Sequence, residues 1–385
     1  MKKKIAFLIT HPIQYYSPLF RYLQANAGFD IKVFYQSSCS IVGNLEKEFG
    51  RVVRWDTDLL GGYDHEFLPS IGSNNTMSRW KPWCYGLHSA LKSGKFEALI
   101  LLGYNRPFHW YAIWLSWRLG LKVFIRDDSN SFSKQRGGFK NFLKRFFFNL
   151  IVRSGADFLA VGKANHAYYT DHGVPLARIH LMHWAVDTEF FKTLAEASRS
   201  DVPTLREALG IADAQIVFLF VGKLSYRKGI DTLLRAFLSA YKDLSDKPAL
   251  VFVGDGELRD KVEAAAKECP DIKVVGFKNQ TQLPEYYELC DALILPSLTL
   301  ETWGLVVNEV MSVGKPAIVS DQVGCWPDLI IEGATGWRFP ADDYRQLEER
   351  ITNFVKNQFF DKERIASLMS EYSFAQNLEC LESAV

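Results

Sequence analysis

Two carboxylates, Glu301 and Glu309, stand eight residues apart in the run Pro296–Glu309, which reads PSLTLETWGLVVNE. A predicted strand ends just before this run and a helix is predicted to open near Gly304. Glu301 would then precede the helix and Glu309 would sit on its second turn, both able to face one cleft. The N–H groups of Trp303, Gly304 and Leu305 would turn the positive end of the helix dipole toward an anion, and a phosphate suits that place. Carboxylates do not bind phosphate, but they accept paired hydrogen bonds from vicinal hydroxyls such as those of a sugar ring or a ribose. The counter-charge comes from a second strand-to-helix turn, Val221–Gly229 (VGKLSYRKG), where Gly222 ends the strand and Lys223 and Lys228 flank the loop. Two ammonium groups beside a helix start can stabilise charge growing on a departing diphosphate. A third turn, Val253-Gly-Asp-Gly-Glu257, is by itself only a tight turn. Where a dinucleotide fold would carry its first glycine-rich loop, the chain reads THPIQYY over Thr10–Tyr16, which argues against a dinucleotide site.

These turns need a scaffold of parallel strands. Short β-branched and apolar runs alternate with helix-length amphipathic segments throughout, the pattern of βαβ units. In the first half, strands are predicted near Ile5–Thr10, Ile31–Tyr35, Leu99–Leu102, Val123–Arg126, Phe158–Val161 and Ile179–His183. In the second half they fall near Val217–Val221, Leu250–Val253, Lys273–Val275, Ala292–Leu295 and Ala317–Ser320. At 385 residues the chain exceeds what one core usually supports, so two α/β domains are expected. The boundary is expected after Val186 and Asp187, where the strand pattern lapses into a polar stretch at Thr193–Pro203 before a new helix, and the domains are taken as residues 1–192 and 193–365. A C-terminal segment, 366–385, would return to the first domain, and helix starts are expected at Asp361 and Ser373.

A net charge of +1 gives no sign of nucleic-acid binding, yet residues 1–195 carry +11 and residues 196–385 carry −10. Six cysteines without CxxC or metal spacing point to free thiols in a reducing compartment. No signal peptide or spanning segment is evident, so a cytoplasmic protein is expected, at most lying on a membrane. Asp56-Thr-Asp58 spells an acid-x-acid metal pattern, but without a third ligand or a phosphate turn nearby it reads as loop structure.

The second half resembles retaining glycosyltransferase family four, of GT-B fold. The resemblance is carried by VGKLSYRKGIDTLLRAF, VFVGDGE, VVGF, LPEYYELCDALILPS and ETWGLVVNEVMSVGKPAIVS, with the Glu-x7-Glu pair as the family's hallmark. HPIQYYSPLFRYL, WDTDLLGGYDHEFL and IRDDSN resemble a bacterial, surface-glycan subset of that family. The resemblance implies two facing doubly wound domains, with the nucleotide-sugar donor bound in the second and the acceptor in the first. It implies donor contacts at Gly222, Lys223, Lys228, Phe277, Glu301, Thr302, Trp303, Gly304, Leu305 and Glu309. Glu301 would contact the donor sugar, Glu309 the ribose, Lys228 the diphosphate, and the backbone around Phe277 the base. Lys223 stands where the family usually has arginine, keeping the charge without the bidentate fork. Asp127 or Asp128 occupies the region where the family places a residue near the reacting carbon, and His11, Gln14 and Arg126 are acceptor-side candidates. The glycine-rich first loop of the family is replaced here by His11-Pro-Ile-Gln14.

The expected activity is transfer of a sugar from a nucleoside diphosphate sugar to a hydroxyl on a glycan or lipid-linked acceptor, with retention of configuration and without metal or other cofactor. A nucleotide-sugar 2-epimerase and a non-catalytic nucleotide-sugar-binding subunit are the alternatives. The segment Phe139–Arg153 (FKNFLKRFFFNLIVR) has four positive charges and no negative ones. Phe142, Leu143, Phe146, Phe147, Leu150 and Ile151 share one arc and are expected to cover the core. Because Phe148 and Val152 interrupt the polar arc of a basic half, contact with an anionic membrane surface is a further expectation.

Overall fold

The computed structural model describes residues 2–42, 44–46, 51–53, 55–72, 78, 80–132 and 138–385. Seven parallel strands form the first sheet: β1 (Lys4–Ile9), β2 (Asp30–Tyr35), β3 (His65–Phe67), β4 (Ala98–Leu102), β5 (Lys122–Asp127), β6 (Asp157–Ala160) and β7 (Ile179–Leu181), in the order β7-β6-β5-β4-β1-β2-β3. Six more form the second: β8 (Val217–Val221), β9 (Ala249–Val253), β10 (Ile272–Gly276), β11 (Ala292–Leu295), β12 (Ala317–Ser320) and β13 (Gly336–Phe339), in the order β10-β9-β8-β11-β12-β13. Runs such as ALILL in β4 and VFLFV in β8 are apolar at every position because helices cover both faces of each sheet. Strand order reverses between β1 and β4 in the first sheet and between β8 and β11 in the second. At these switch points the loops leaving the carboxyl ends part to opposite faces and open a crevice. All eleven segments named as strands from the sequence are strands here; β3 and β13 are additional edge strands of the two sheets, and two short antiparallel pairs, Asn44–Glu46 with Arg51–Val53 and Ser70–Ile71 with Trp83–Cys84, lie outside them.

The expected boundary at 192/193 is corrected. Thr193–Pro203 is largely helical: α4 (Thr188–Ser198) runs across that position, starting at Asp187, whose carboxylate accepts from Phe190 N at 3.0 Å. Its buried Phe191 ring lies 6.0 Å from Tyr287 and its C-terminal neighbour Arg199 pairs with Glu288, so this helix packs on the second domain. The chain therefore changes domain before Asp187. The polar composition that resembled a linker is the solvent face of an amphipathic helix.

At the other end, helix α7 (Lys362–Glu371) is capped by Asp361 and helix α8 (Phe374–Ala384) by Ser373. The segment boundary at 366 consequently falls inside α7, which packs on the second domain. Only α8 lies on the first, where Gln376 donates to Leu181 O, Lys122 donates to Ala384 O at 2.6 Å, and Phe374 meets Tyr22.

Helices α2 (Pro107–Leu119) and α3 (Gly138–Arg153) cover one face of the first sheet. Of the arc expected to face the core from α3, Ile151 is buried as expected, but the rest of the inward face differs. Phe148 and Ile151 are buried, Phe148 against Phe158, Tyr169 and His172. Leu143, Phe146, Phe147 and Leu150 are exposed instead, and the side chain of Phe142 lies outside the described residues. The cause lies in the neighbours: Ala156, Phe158 and Tyr168 offer one pocket wide enough for a phenyl ring, and Phe148 fills it. Phe148→Ala should accordingly lower stability by about 3–5 kcal/mol in denaturant melts, while Phe146→Ser should change it by no more than about 0.5 kcal/mol.

Candidate active site

At the second switch point the loops after β8 and β11 are pressed together. Gly229, at φ +71°, lies so close to Pro296 that a Cβ there would stand 2.0 Å from the Pro296 carbonyl oxygen. Leu298 N donates to Arg227 O at 2.8 Å across the same contact. This approach brings Lys228 onto Glu301: the ammonium donates to the carboxylate, which also accepts from Ser297 Oγ at 2.9 Å. Both side chains are largely buried. Burial works to raise the Glu301 pKa, but Lys228, Ser297 and Arg227 outweigh it and hold the carboxyl below its ordinary value. Lys223 follows Gly222 at the mouth of the same loop, partly buried.

Helix α6 (Leu305–Ser312) opens from Gly304, whose φ of +95° and close neighbours Leu295 and Val323 leave no room for a side chain. No side chain caps this helix, so its first N–H groups face the cleft ready for an anion. Trp303 is turned inward, donating from its indole to Asn308 Oδ1 at 2.8 Å. Thr302 spans the cleft: its hydroxyl donates to Asp128 Oδ2 at 2.7 Å and its carbonyl accepts from Asn130 at 3.0 Å. Leu305 lines a cleft of about 930 Å³ together with Thr10, Tyr15, Arg106, Arg126, Asp127, Asp128 and Trp184 of the first domain.

Glu309 does not share an open face with Glu301. It is buried, hydrogen-bonded by Tyr287, and lies against Tyr15 of the first domain. Burial pushes its pKa up to about 7, with Tyr287 and Tyr15 working in the opposite direction. Tyr15 feels both glutamates; burial first, then Glu309, drives its phenol upward. The loop replacing a glycine-rich turn thus carries a hydroxyl across to the donor half, a role that sequence reasoning missed because a tyrosine in a loop has no spacing signature. Phe277 follows Gly276 at the end of the edge strand β10 and is part-exposed.

The two first-domain aspartates differ. Asp127 accepts from Tyr169 Oη at 2.5 Å and from Ser129 Oγ at 2.6 Å. Burial, then the neighbouring Asp127 charge, raises the Asp128 pKa against the Thr302 hydrogen bond. Arg126 is fully buried, its guanidinium 4.9 Å from the Trp184 ring centroid and 5.7 Å from that of Tyr16. Gln14 is half-buried with its carbonyl oxygen unpartnered among the described residues, and His11 bonds to Thr10 Oγ1 at 2.9 Å. Asp58 accepts from Leu60 and Gly61 N–H groups as a turn residue, and Asp56 accepts from Thr281 across the domains.

Residues 201–371 match the family model described as Glycosyl transferases group 1. Over 51% of each chain the sequence is 29% identical to the lipopolysaccharide 1,2-N-acetylglucosaminetransferase of Salmonella typhimurium. It is 33% identical to an uncharacterized glycosyltransferase of Methanocaldococcus jannaschii over 36% of this chain and 35% of that one. The matches thus span about half or less of these curated relatives. The whole fold aligns with HepE of Anabaena, solved in complex with UDP and glucose, at a TM-score of 0.68 and 16% identity over 99% of both chains. The architecture is GT-B, as in HepE, and the second domain is the part of the chain that is similar to the group 1 glycosyl transferases.

The raised Glu309 pKa sets a pH dependence. Its ordinary value, 4.5, applies to the unfolded chain, so the folded state holds the proton more tightly and stability falls as pH rises from about 4.5 to 7. The loss amounts to about 3 kcal/mol, and Glu309→Gln should flatten that part of the stability–pH curve in urea melts.

Proposed function

We propose that this protein transfers a sugar from a nucleoside diphosphate sugar to a hydroxyl of a glycan or lipid-linked acceptor, with retention of configuration, in bacterial surface polysaccharide or lipopolysaccharide synthesis. The observation that carries the reading is the buried Lys228–Glu301 pair beside the uncapped start of α6. The glutamate keeps an otherwise costly ammonium charged beside that helix start. Lys228, Lys223 and the N–H groups after Gly304 would receive the diphosphate and stabilise the charge that grows on it as the sugar–oxygen bond breaks. Glu301, once its lysine turns to phosphate, has a free oxygen for the sugar hydroxyls. Glu309 with Tyr15 and Tyr287 forms the acidic end that suits a ribose diol. The electron pair of the breaking bond passes to the phosphate oxygen. The acceptor oxygen bonds to the same carbon from the same face, and its proton goes to that phosphate oxygen. In this scheme the two lysines and the helix start supply the positive charge that a metal ion supplies elsewhere. The names of the relatives support the class of reaction.

Lys228→Ala should cut turnover of nucleoside diphosphate sugar by at least a hundredfold in a chain that still folds cooperatively, with a lower melting temperature because Glu301 loses its buried cation, while added chelator should leave the wild-type rate within twofold. Near-native turnover of the variant, or strict dependence on added metal, would contradict the scheme.

The exposed face of α2 and α3 supports work at an anionic membrane surface. Tyr111, Trp114, Trp117, Phe146, Phe147 and Leu150 are exposed there, and Trp110 joins Phe147 at 5.6 Å. Residues 129–156 have six basic and no acidic side chains, and residues 67–126 have eight basic and one acidic. No described helix is long and apolar enough to cross a membrane. Aromatic rings at headgroup depth beside cations are a binding arrangement for an anionic leaflet. In vesicle flotation the wild type should rise with vesicles containing phosphatidylglycerol and remain below with neutral ones, and Trp117→Ser/Phe146→Ser should lose at least tenfold in partition. Equal flotation with both vesicle types would remove the membrane from the proposal.

A further inference from the structure

The second switch point holds the lysines and glutamates described above. The first, between β1 and β4, holds a different set. The β1 loop brings His11, and the β4 loop leads through Asn105 and Arg106 into α2. Arg106 is the residue before Pro107 and occupies the cap of a thirteen-residue helix, and it gives that helix no side-chain cap. Its guanidinium donates to Lys81 O at 3.2 Å and has no carboxylate partner among the described residues. Burial lowers its pKa, and the ionisable groups that face it are the thiols of Cys39 and Cys84 and the imidazoles of His11 and His109. A half-buried guanidinium kept by neutral neighbours is incompletely compensated.

One turn into the helix, His109 is 2% exposed. Gln36 Nε2 donates to His109 Nε2 at 3.3 Å, so the ring hydrogen of the neutral imidazole resides on Nδ1. That N–H is buried without a partner among the described residues, and His109 lies on the wall of the cleft. Burial and the Arg106 charge hold both His109 and His11 at about 4, so both are neutral at physiological pH. Asp127 and Asp128 share the cleft, but their oxygens are engaged by Tyr169, Ser129 and Thr302. The N–H groups of His109 and Trp110 are turned onto Arg106 O and Pro107 has none, so the anion-seeking groups at this spot are side chains: a guanidinium without a carboxylate partner among the described residues and, one turn on, an orphan buried ring N–H.

Arg106 also faces the other way. It lines a separate groove of about 310 Å³ whose walls are Trp80, Pro82, Trp83, Phe108 and Tyr111. The groove runs from the cation to the exposed rings of α2, and Trp80 and Trp83 are each 62% exposed. Cleft, cation and apolar groove thus follow one another in a line, a sequence of environments matched by a molecule with a polar head, a phosphate and a hydrocarbon chain.

Resting on the proposed transfer, we propose that the acceptor is an isoprenoid or other lipid phosphate carrying a glycan: its phosphate binds at Arg106 and the start of α2, and its first apolar units lie in the Trp80–Tyr111 groove. The glycan end would then point along the cleft toward Leu305 and the donor.

The test uses farnesyl diphosphate, farnesol and inorganic diphosphate as probes, titrated into the full chain by calorimetry with tryptophan fluorescence as a second readout. Farnesyl diphosphate should bind and quench the fluorescence, with farnesol and inorganic diphosphate each at least tenfold weaker. Arg106→Gln should weaken farnesyl diphosphate tenfold or more, Arg106→Lys should restore part of that loss, and Trp83→Ala, at an exposed position that does not endanger folding, should weaken it several-fold. Lys228→Ala should leave the affinity as it is. Loss of binding in Lys228→Ala with none in Arg106→Gln would put the probe in the donor site and overturn the assignment, as would wild-type affinity in both Arg106→Gln and Trp83→Ala. Transfer to a water-soluble sugar acceptor is followed in parallel: if it proceeds while farnesyl diphosphate fails to bind, the lipid-phosphate site alone is wrong, and if neither occurs the transfer reading falls with it.

Discussion

A positive side chain buried beside a negative one, at the place where two loops touch, governs the rest of this molecule. The Lys228–Glu301 contact requires that the turn after β8 and the turn after β11 meet, and they can meet only because Gly229 has no side chain to hold Pro296 away. Two parallel strands adjacent in the sheet but distant in sequence are needed to bring those turns together, so the doubly wound order of the second sheet is the long-range condition for a local electrostatic one. An isolated ammonium would not stay charged in that setting, and an isolated carboxylate would take up a proton. Glu309 illustrates the second case: with two phenols and no cation beside it, it is pushed up to about 7 while Glu301 is held low.

The fold was legible in the sequence wherever a segment was buried on both faces. Strands such as Val217–Val221 and Ala292–Leu295 consist wholly of apolar residues between polar turns and were located to the residue. Helix faces were less legible, because periodicity shows that a stripe exists without showing which stripe is inside. In α3 the aromatic residues surround the helix, and only the shape of the Phe158–Tyr168 neighbourhood chooses Phe148 over Phe146. The domain boundary failed for a related reason: Thr193–Pro203 is polar because half of a helix faces water, and composition alone cannot separate that from a linker.

For the candidate site, the residues that act through charge and spacing were visible. Lys228, Glu301, Gly304 and Thr302 are brought together, and Asp128 reaches them across the cleft. What could not be read were groups that act by position: Tyr15 against Glu309, Ser297 on Glu301, and the Arg106–His109 turn. None has a recurring spacing, and each acquires meaning only from the reversal of strand order that gathers loops from distant parts of the chain.

The links between the two halves are small and numerous. Thr302 with Asp128 and Asn130, Asp328 with the Lys163 N–H and Tyr372, Asn308 with Trp184, and Asp56 with Thr281 are separate hydrogen bonds spread around the cleft. At about 1 kcal/mol each, they give a closure that no single bond secures and that ordinary thermal motion can undo a few at a time. The halves are thereby fastened at several separate points, with α8 carrying the chain end back onto the first domain. Traffic of bulky molecules into a narrow crevice becomes compatible with a tightly shut working state.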